Sequence, residues 1–505
     1  MPPLEFLLGR DTNQAHGLAE YARTFIFSED DTVDPQVIRR LEQFHIDSVA
    51  CGISALALGA NAPRVLRDEA LDYVTPVGGA YCFGSHQAAH PEKAVVANSS
   101  AVREWDSNGT NFGYNPARHA TRGEFGHNDF YPVAVAGAQV GGHDGRRLLR
   151  AMLCLDEIRG RLAEVFGLKD YKIDHVLHGA IASAAVYGAL TGATVDQIES
   201  AIGLVVAHYV PFRAIRAGHQ LSDSKGASAA ISAEAAVLCV HRAKRGFVGP
   251  ADIFRNPQAV FCLFEPPAEP HTSPFDLALS SSGSDFAIMG MHFKLGLYEH
   301  QSAGAIQAVI DLLGKHPPFA ETPDNWKRLQ ILIYQPAYGI IGDPAKRDPR
   351  TRQSADHSMV YIIATLLRKC YELQRTSWED LMLVPADYDD AALFHPLTRE
   401  LMSRIEFRHG GPEFDRDYPD GIPTQVDVEL NNGTRCSSGR VMYPTGHARC
   451  TNGRLDELLQ RKFDLLLANA VDEPTKVTEQ LYGLSERSVE EVRQLYHFSI
   501  RGLDK

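Results

Sequence analysis

The stretch from Glu104 to Tyr131 holds the densest group of polar side chains in the chain, and it reads EWDSNGTNFGYNPARHATRGEFGHNDFY. It lies between two segments with helical patterns in a chain rich in Ala, Val and Leu. A polar loop of this kind is more typical of a binding or catalytic rim than of packing. Within it, Asp106 and Thr110 stand four residues apart and His127 follows. We therefore predict that the active site includes this loop.

His127 is the first candidate for an acid or a base, because imidazole titrates nearest neutral pH. A second histidine, His119, lies in the same loop, and the sequence leaves open which of the two faces a substrate. Asp106 and Thr110 would place a base beside a hydroxyl donor if the start of the loop is helical, although this pair is also common at helix ends.

Three basic residues further along the chain could bind an anion. Lys225 precedes a helix of small residues, where its ammonium could share an anion site with the N-terminal N–H groups. Arg213 and Arg216 share one face if FRAIRAG is helical, and guanidinium groups pair bidentately with carboxylates. An exposed lysine near a helix cap and a surface ladder of ion pairs are equally compatible with these patterns.

The second half of the chain adds weaker candidates. His300 lies in YEHQSAG, where neighbouring Gln301 and Ser302 could instead indicate only a helix cap. His447 and Arg449 follow a predicted strand in YPTGHAR, where a loop could face a cleft. His357 follows an aspartate at a helix start, which is as typical of a cap as of a ligand.

The composition excludes several classes of protein. A net charge of −13 argues against a nucleic-acid partner, which requires a basic face. The eight cysteines are scattered without CxxC spacing, which disfavours an iron–sulfur cluster and predicts mostly buried, reduced thiols. There is no HExxH, HxH, EF-hand or GxGxxG pattern, so we predict neither a metal nor another cofactor.

No apolar run approaches the roughly 18 residues that span a bilayer, and the N-terminus does not resemble a secretion signal. We expect no membrane association and a cytoplasmic location, or the mitochondrial matrix in a eukaryote.

The secondary-structure elements that would position these residues differ between the two halves of the chain. From about residue 34 to 255 apolar residues recur at helical spacing, and Thr194 and Gln197 form a capping box. A proline-rich stretch from 257 to 274 marks a boundary. After it, helices alternate with strands, including a hairpin that turns at Asn431-Asn432-Gly433. Two helical segments close the chain. The sequence thus predicts a large all-α domain and a smaller α+β domain.

Ordered motifs give a resemblance that covers most of the chain. They are Asp106 and Thr110 with Gly126-His127-Asn128-Asp129, Asp174-His175-Val176-Leu177, Arg213 with Arg216, Lys225 opening KGASAA, Phe293-Lys294 leading to YEHQSAG, Ala355-Asp356-His357-Ser358, and Tyr443-Pro444-Thr445-Gly446-His447-Ala448-Arg449. In this order they resemble the MmgE/PrpD family, which includes 2-methylcitrate dehydratases and cis-aconitate decarboxylases. The Asp-His and GHAR patterns are more similar to the dehydratase branch.

The resemblance implies a mainly α fold with a helical domain (1–268), an inserted α+β lid (269–450) and helices returning to the first domain (451–505). It implies dehydration of 2-methylcitrate in propionate breakdown by a homodimer that binds a small tricarboxylate without a cofactor. Asp106, Thr110, His127, Lys225 and His300 would be catalytic, with substrate bound by the group Arg213, Arg216, His447 and Arg449. The alternatives are a cis-aconitate decarboxylase, a non-catalytic tricarboxylate-binding protein and, third, a metal hydrolase.

Overall fold

The computed structural model describes residues 5–30, 32–216, 221–341 and 344–503. The fold is mostly helical with several small sheets. In the first part of the chain the helices are Gln14–Phe27 (α1), Pro35–Ala57 (α2), Asn61–Leu71 (α3), Pro91–Glu104 (α4), Tyr131–Gly141 (α5), Gly145–Val165 (α6), Val176–Leu190 (α7), Val195–His208 (α8) and Asp223–Lys244 (α9).

The remaining helices are shorter on average. They are Val260–Phe264 (α10), Ala303–Lys315 (α11), Pro317–Glu321 (α12), Gln335–Ile341 (α13), Arg352–Ala355 (α14), Met359–Leu373 (α15), Trp378–Leu381 (α16), Asp390–Leu393 (α17), Pro396–Ser403 (α18), Pro412–Arg416 (α19), Leu455–Leu467 (α20), Pro474–Leu481 (α21) and Val489–Arg493 (α22). The strands are Glu5–Leu8 (β1), Ala80–Tyr81 (β2), Ala88–Ala89 (β3), Thr110–Asn115 (β4), Ala120–His127 (β5), Leu277–Ser280 (β6), Trp326–Ile333 (β7), Ile405–His409 (β8), Thr424–Leu430 (β9) and Arg435–Val441 (β10).

The helical core forms around α7, every residue of which is buried. It packs against α5, α6, α8 and α9, so it is apolar on all sides rather than on one stripe. Side chains cap the surrounding helices: Asp34 accepts from the backbone of Gln36 at the start of α2, and the predicted capping box of Thr194 and Gln197 at α8 is confirmed. These local signals explain why the helices begin where the sequence indicates.

The prediction that the first part is all-α is wrong, because it contains two complete two-stranded sheets and one strand of a third, whose partner β6 lies beyond residue 268. β1 pairs with β6, β2 with β3, and β4 with β5. The polar loop predicted between two helices is thus a β-hairpin. Register shifts interrupt it, and Asn111 and Gly113 have φ of 76° and 80°, so its residues do not alternate regularly between two faces. Because of this irregularity, the sequence lacks the strict alternation of apolar and polar residues by which strands are predicted.

The four-stranded sheet, in the second half of the chain, has the strand order β10-β9-β7-β8. β7 pairs antiparallel with β9 and parallel with β8, and β9 and β10 form the hairpin predicted at Asn431-Asn432-Gly433. Helix α11 packs against β9 and β10, and α15 packs against α11 and α18. Residues of β9 alternate between buried and partly buried, as expected for a sheet with one covered face.

The last helices pack against the first ones. α20 contacts α2, and Leu484 donates its N–H to Glu42 of α2 at 2.9 Å. Seven of the eight cysteines are buried and all are free thiols, which confirms the prediction from their scattered positions. Within the part of the chain described, no single helix is long and apolar enough to cross a membrane, although α2 and α3 together meet that criterion across a 90° bend.

Candidate active site

Asp106 lies at the centre of a buried group of charged side chains. It follows the C-terminus of α4, one turn after Arg103, whose Nη1 lies 3.1 Å from its Oδ1. Lys294 donates to the same oxygen. His357 Nε2 lies 3.0 Å from Oδ2, and Lys225 Nζ lies 3.8 Å away. Asp106 therefore joins four segments that are far apart in sequence.

Lys225 sits in the first turn of α9 and is buried, so it is not the exposed lysine that its position near a cap also allowed. Its Nζ donates to Asp356 Oδ1 at 3.1 Å and lies 3.0 Å from His357 Nδ1. Arg352 donates to Asp356 at 3.2 Å and also pairs with Glu104. The segment 352–357 is thereby tied to both α4 and α9.

His127 ends β5 and stands directly opposite Thr110, the first residue of β4. Its Nε2 lies 3.3 Å from Nη2 of Arg103. Because a guanidinium can only donate, Nε2 accepts, and the proton of the neutral ring is on Nδ1. Thr110 is held by two backbone hydrogen bonds with His292, at 2.9 and 2.8 Å. The hairpin thus presents an imidazole N–H and a hydroxyl side by side.

Three further imidazoles form a stack beside this group. The ring of His292 lies 5.0 Å from that of His300 and 3.9 Å from that of His447, with interplanar angles of 15° and 21°. Backbone N–H groups of Ala448 and Arg449 donate to Nδ1 of His292 and His447, at 2.9 and 3.2 Å. These bonds put the proton of each neutral ring on Nε2.

Burial and neighbouring charges set the protonation states. Burial alone would raise the pKa of Asp106, but Lys294, Arg103, His357 and Lys225 hold it well below the usual range. Burial lowers the pKa of Lys225 to about 8, against the opposing effect of Asp356 and Asp106. The group thus combines a carboxylate that stays ionised with an ammonium that loses its proton only slightly above neutral pH.

Four imidazoles of the site, those of His127, His292, His300 and His447, are neutral near pH 7. Burial is the main cause in each case, and it lowers the pKa of His300 and of His447 to about 3. The pKa of His127 is also well below its ordinary value because of burial and then of Arg103. A neutral imidazole can donate from one nitrogen and accept at the other.

Several buried polar atoms around the group have no hydrogen-bond partner among the described residues. They are Thr110 Oγ1, His127 Nδ1, both ring nitrogens of His300 and His447 Nε2. Most buried polar groups in proteins are paired, so a concentration of unpaired ones is typical of a place where a polar ligand binds. Lys294 has one bond through Nζ in the described structure and can donate two more.

The other predicted residues lie elsewhere or are only partly described. Arg213 is in a short 3-10 turn, Arg213–Arg216, and within the described ranges no hydrogen bond or ion pair joins it to Asp106. The side chain of Arg216, and all of His219, lie outside the described residues. Arg449 pairs with Asp420 at 2.9 Å and covers the ring of Tyr114 at 4.4 Å, beside an open cavity of about 210 Å³ that His292 also lines.

The geometry bears on three local alternatives that the sequence left open. The turn between Asp106 and Thr110 is not helical: Asp106 follows the end of α4, and Thr110 begins β4. His119 is exposed at the tip of the hairpin with φ of 58°, whereas His127 is buried at the charged group. At His300, Glu299 caps the helix start by accepting from Gln301 N–H at 2.8 Å.

Sequence reasoning missed Arg103, His292 and Lys294 as members of the site and ranked His357 low. Arg103 looked like an ordinary helical residue, although it lies one turn before Asp106. In the sequence, Lys294 belongs to the Phe293-Lys294 motif but is not predicted to act in the reaction. A charged residue in an apolar run such as MHFKLGL was the available signal, since lysine is rarely buried without a partner.

Asp106, Asp356 and His357 are also the residues best placed to hold a metal, with ligand atoms within 4.8 Å of one another. Lys225 and Lys294 already bring positive charge to both carboxylates. A divalent cation added there would be repelled by these like charges. The donor set therefore fits ammonium groups better than a metal. A second group, His16, Asp196 and Glu199, lies between α1 and α8.

Comparison with known families accounts for most of the chain. The MmgE/PrpD N-terminal domain matches residues 16–272, and the MmgE/PrpD C-terminal domain matches residues 298–482. The chain belongs to the MmgE/PrpD family. The first match contains Asp106, Thr110, His127 and Lys225, and the second contains His300 and His357, so the site of this MmgE/PrpD protein draws on both.

Named relatives of this MmgE/PrpD protein are dehydratases. The 2-methylcitrate dehydratase of Escherichia coli K12 is 24% identical over 346 residues, which is 67% of each chain. That of Salmonella typhi is 24% identical over 441 residues, or 84% of each chain. An alkylcitrate dehydratase of Talaromyces stipitatus is 25% identical over 325 residues, 63% of this chain and 61% of the relative. The relatives thus indicate a hydro-lyase that acts on citrate-type substrates.

Proposed function

We propose that this protein eliminates water from 2-methylcitrate to give 2-methyl-cis-aconitate, as part of propionate breakdown. Its family and the names of its relatives support a citrate-type dehydratase. The single observation that carries the proposal is the buried Asp106 group, in which two lysines lie beside imidazoles and a hydroxyl with unpaired polar atoms. Such a site suits a polar anion with several carboxylates.

The chemistry requires three things of the site. A base takes a proton from the carbon next to a carboxylate, an acid gives a proton to the leaving hydroxyl, and cations neutralise the enolate-like charge that develops. The C–H and C–O bonds break, a carbon–carbon double bond forms, and the hydroxyl leaves as water. Lys294 and Lys225 are suited to the charge, because each ammonium can donate to a carboxylate.

His127 and His300 are the groups suited to the two proton transfers. His127 has its proton on Nδ1, which has no partner in the described structure, so it can donate to the leaving oxygen. His300 is neutral, and whichever of its nitrogens is unprotonated can accept the carbon-bound proton. Asp106 holds the cations in place, and Thr110 can bond a substrate oxygen. His447 and Arg449 remain the proposed contacts to the distal part of the substrate.

We also propose that residues 269–450 form a lid inserted into the helical part and that the protein is a homodimer. The contact of α20 with α2 supports a return of the chain to the first helices. The pairing of β6 with β1 ties the start of this segment to the N-terminus. A pair of domains that close on one another would exclude water from the Asp106 group during turnover.

The test is the ultraviolet absorbance of the conjugated alkene after chelator-treated enzyme is mixed with 2-methylcitrate. We expect a steady rise, because the lysines provide the positive charge that a metal would otherwise provide. His127→Ala should fold normally and lose roughly 10²- to 10⁴-fold in turnover, the range for removal of a general acid or base. The matched control is His119→Ala in the same hairpin, whose exposed side chain should leave turnover unchanged.

Equal turnover by the parent and His127→Ala would contradict the role of that histidine. Absence of any alkene from 2-methylcitrate or citrate would contradict the dehydratase itself. In that event cis-aconitate is the next substrate: carbon dioxide release would indicate the decarboxylase, and binding without turnover a tricarboxylate-binding protein.

A further inference from the structure

A second buried ion pair lies beneath the hairpin of the site. Asp47 of α2 and Lys462 of α20 are 0% and 1% exposed, and Lys462 Nζ donates to Asp47 Oδ1. The same Nζ donates to the backbone carbonyl of Ser107. The two residues are 415 positions apart. Among the described residues, no hydrogen bond or ion pair joins either of them to the side chains of Asp106, Thr110 or His127.

The pair holds both ends of the hairpin at once. Asp47 Oδ2 accepts from the backbone N–H of Gly109 at 2.9 Å and from Nδ2 of Asn128 at 3.2 Å. Asn128 also donates to the carbonyl of Phe44, at 2.8 Å. The contacted residues thus follow Asp106, precede Thr110 and follow His127. Each is a direct chain neighbour of a residue of the proposed site.

The turn between Asp106 and Thr110 is closely packed at Gly109. A Cβ placed on Gly109 would lie 2.3 Å from a ring carbon of Phe44, which is itself stacked on Phe293 at 3.9 Å. A buried ion pair contributes little net stability, because desolvation offsets the attraction. Bonds from such a pair to backbone atoms of a functional turn are instead expected to fix a geometry.

We propose that Lys462 and Asp47 are positioning residues, which hold the Asp106–Thr110 turn and the His127 end of the hairpin in the register that the reaction needs. They act through backbone atoms and not on the substrate. A displacement of about 1 Å at a reacting group can lower a rate by roughly 100-fold. The last helices would then contribute to turnover without contributing a catalytic side chain.

The first test is hydrogen–deuterium exchange on the full chain, which does not depend on the proposed function. In Lys462→Met we expect faster amide exchange in peptides covering 107–112 and 124–129 and unchanged exchange in the sheet of β7 to β10. The matched control is Arg161→Met, which also removes a buried cation, 1% exposed and paired with Glu157 at 2.7 Å. It should leave these two peptides as in the parent.

The kinetic test rests on the proposed function. On folded protein, Lys462→Met should lower kcat by about 10- to 100-fold with KM changed less than about threefold, and Lys462→Arg should recover most of kcat. Arg161→Met should keep the parent kcat. Turnover by the parent tests the dehydratase, whereas the ratio of variant to parent, and the exchange data, test the positioning role.

Unchanged exchange in both peptides, or an equal increase throughout the protein, would overturn the proposal. So would a loss of kcat in Arg161→Met as large as that in Lys462→Met. If Lys462→Met does not fold, Asp47→Asn takes its place, since it removes the charge and keeps an acceptor for Gly109. Failure of both variants to fold would also overturn it, because the pair would then be a requirement for stability.

Discussion

Replacement of Asp106 by asparagine should change the charge state of the site without changing its shape. The carboxylate is buried and lies within 4 Å of Lys225, Lys294 and Arg103. Asparagine has nearly the same volume but no charge, so the neighbouring ammonium groups lose an attractive partner. The consequence is a lower pKa of Lys225, because the charged form of a buried lysine depends on such partners.

The distance gives the size of this effect. At 3.8 Å, with an effective dielectric constant of about 20, a full charge contributes about 4 kcal/mol, which corresponds to about three pKa units. The pKa of Lys225 is about 8 with the carboxylate in place. In Asp106→Asn it should therefore fall toward about 5 as a limit, and the lysine would be largely neutral at pH 7. Asp356, at 3.1 Å, remains and moderates the fall.

The assay is the pH dependence of kcat/KM, which reports ionisations of the free enzyme. The parent should lose kcat/KM as pH rises through about 8, since the ammonium is protonated below that value and needed to bind carboxylate. Asp106→Asn should move this basic limb to lower pH by between one and about three units. Carbon-13 NMR of lysine labelled at the ε-carbon gives the same pKa directly.

A basic limb that stays within about half a unit of the parent's would refute the reasoning, because the charge of Asp106 would then not support Lys225. The control is Asp276→Asn, which breaks an exposed ion pair with Arg10. That pair is half exposed, so its loss should leave the pH profile unchanged.

Two further predictions concern stability. Gly109→Ala should lower the free energy of unfolding by about 1 to 3 kcal/mol, because its methyl group would overlap the ring of Phe44. The control is Gly314→Ala, which lies in open space within α11 and should be neutral or stabilising. Urea unfolding measures both variants, and equal effects would contradict this explanation. Burial lowers the folded-state pKa of His45 and of His178 to about 3. The unfolded chain therefore binds more protons between about pH 6.5 and 3, so stability is retained above pH 6.5 and lost as pH falls, by up to about 1.4 kcal/mol per pH unit for each histidine. Unfolding free energies that stay constant from pH 6.5 to 5 would exclude this.

Local signals made the helices predictable. The capping box at Thr194, the helix of α11 and the turn at Asn431-Asn432-Gly433 depend on residues within a few positions of one another. The strands of the β4–β5 hairpin were not predictable in the same way. Its bulges and the left-handed backbone of Asn111 remove the alternation by which a strand is recognised.

In the candidate site, too, some residues were predictable from the sequence and others were not. Asp106, His127 and Lys225 could be chosen from the sequence because their residue types suit the chemistry and lie in recognisable motifs. Nothing local distinguished Arg103 from other helical arginines, and His292 stood in an apolar run without a partner nearby. The same is true of Lys294. The importance of these residues follows from contacts with distant parts of the chain, such as that of Lys294 with Asp106, which are 188 positions apart.

The sequence by itself determined the family, the helices and the kinds of side chain available for the reaction, because composition, short-range periodicity and motif order are properties of the chain. Only the tertiary structure decided which of these side chains meet and in what charge state. Burial sets the neutral imidazoles and the lowered pKa of Lys225, and burial depends on elements that are distant in sequence. The support of Ser107 and Gly109 by Lys462 and Asp47 is likewise a property of packing between α2 and α20.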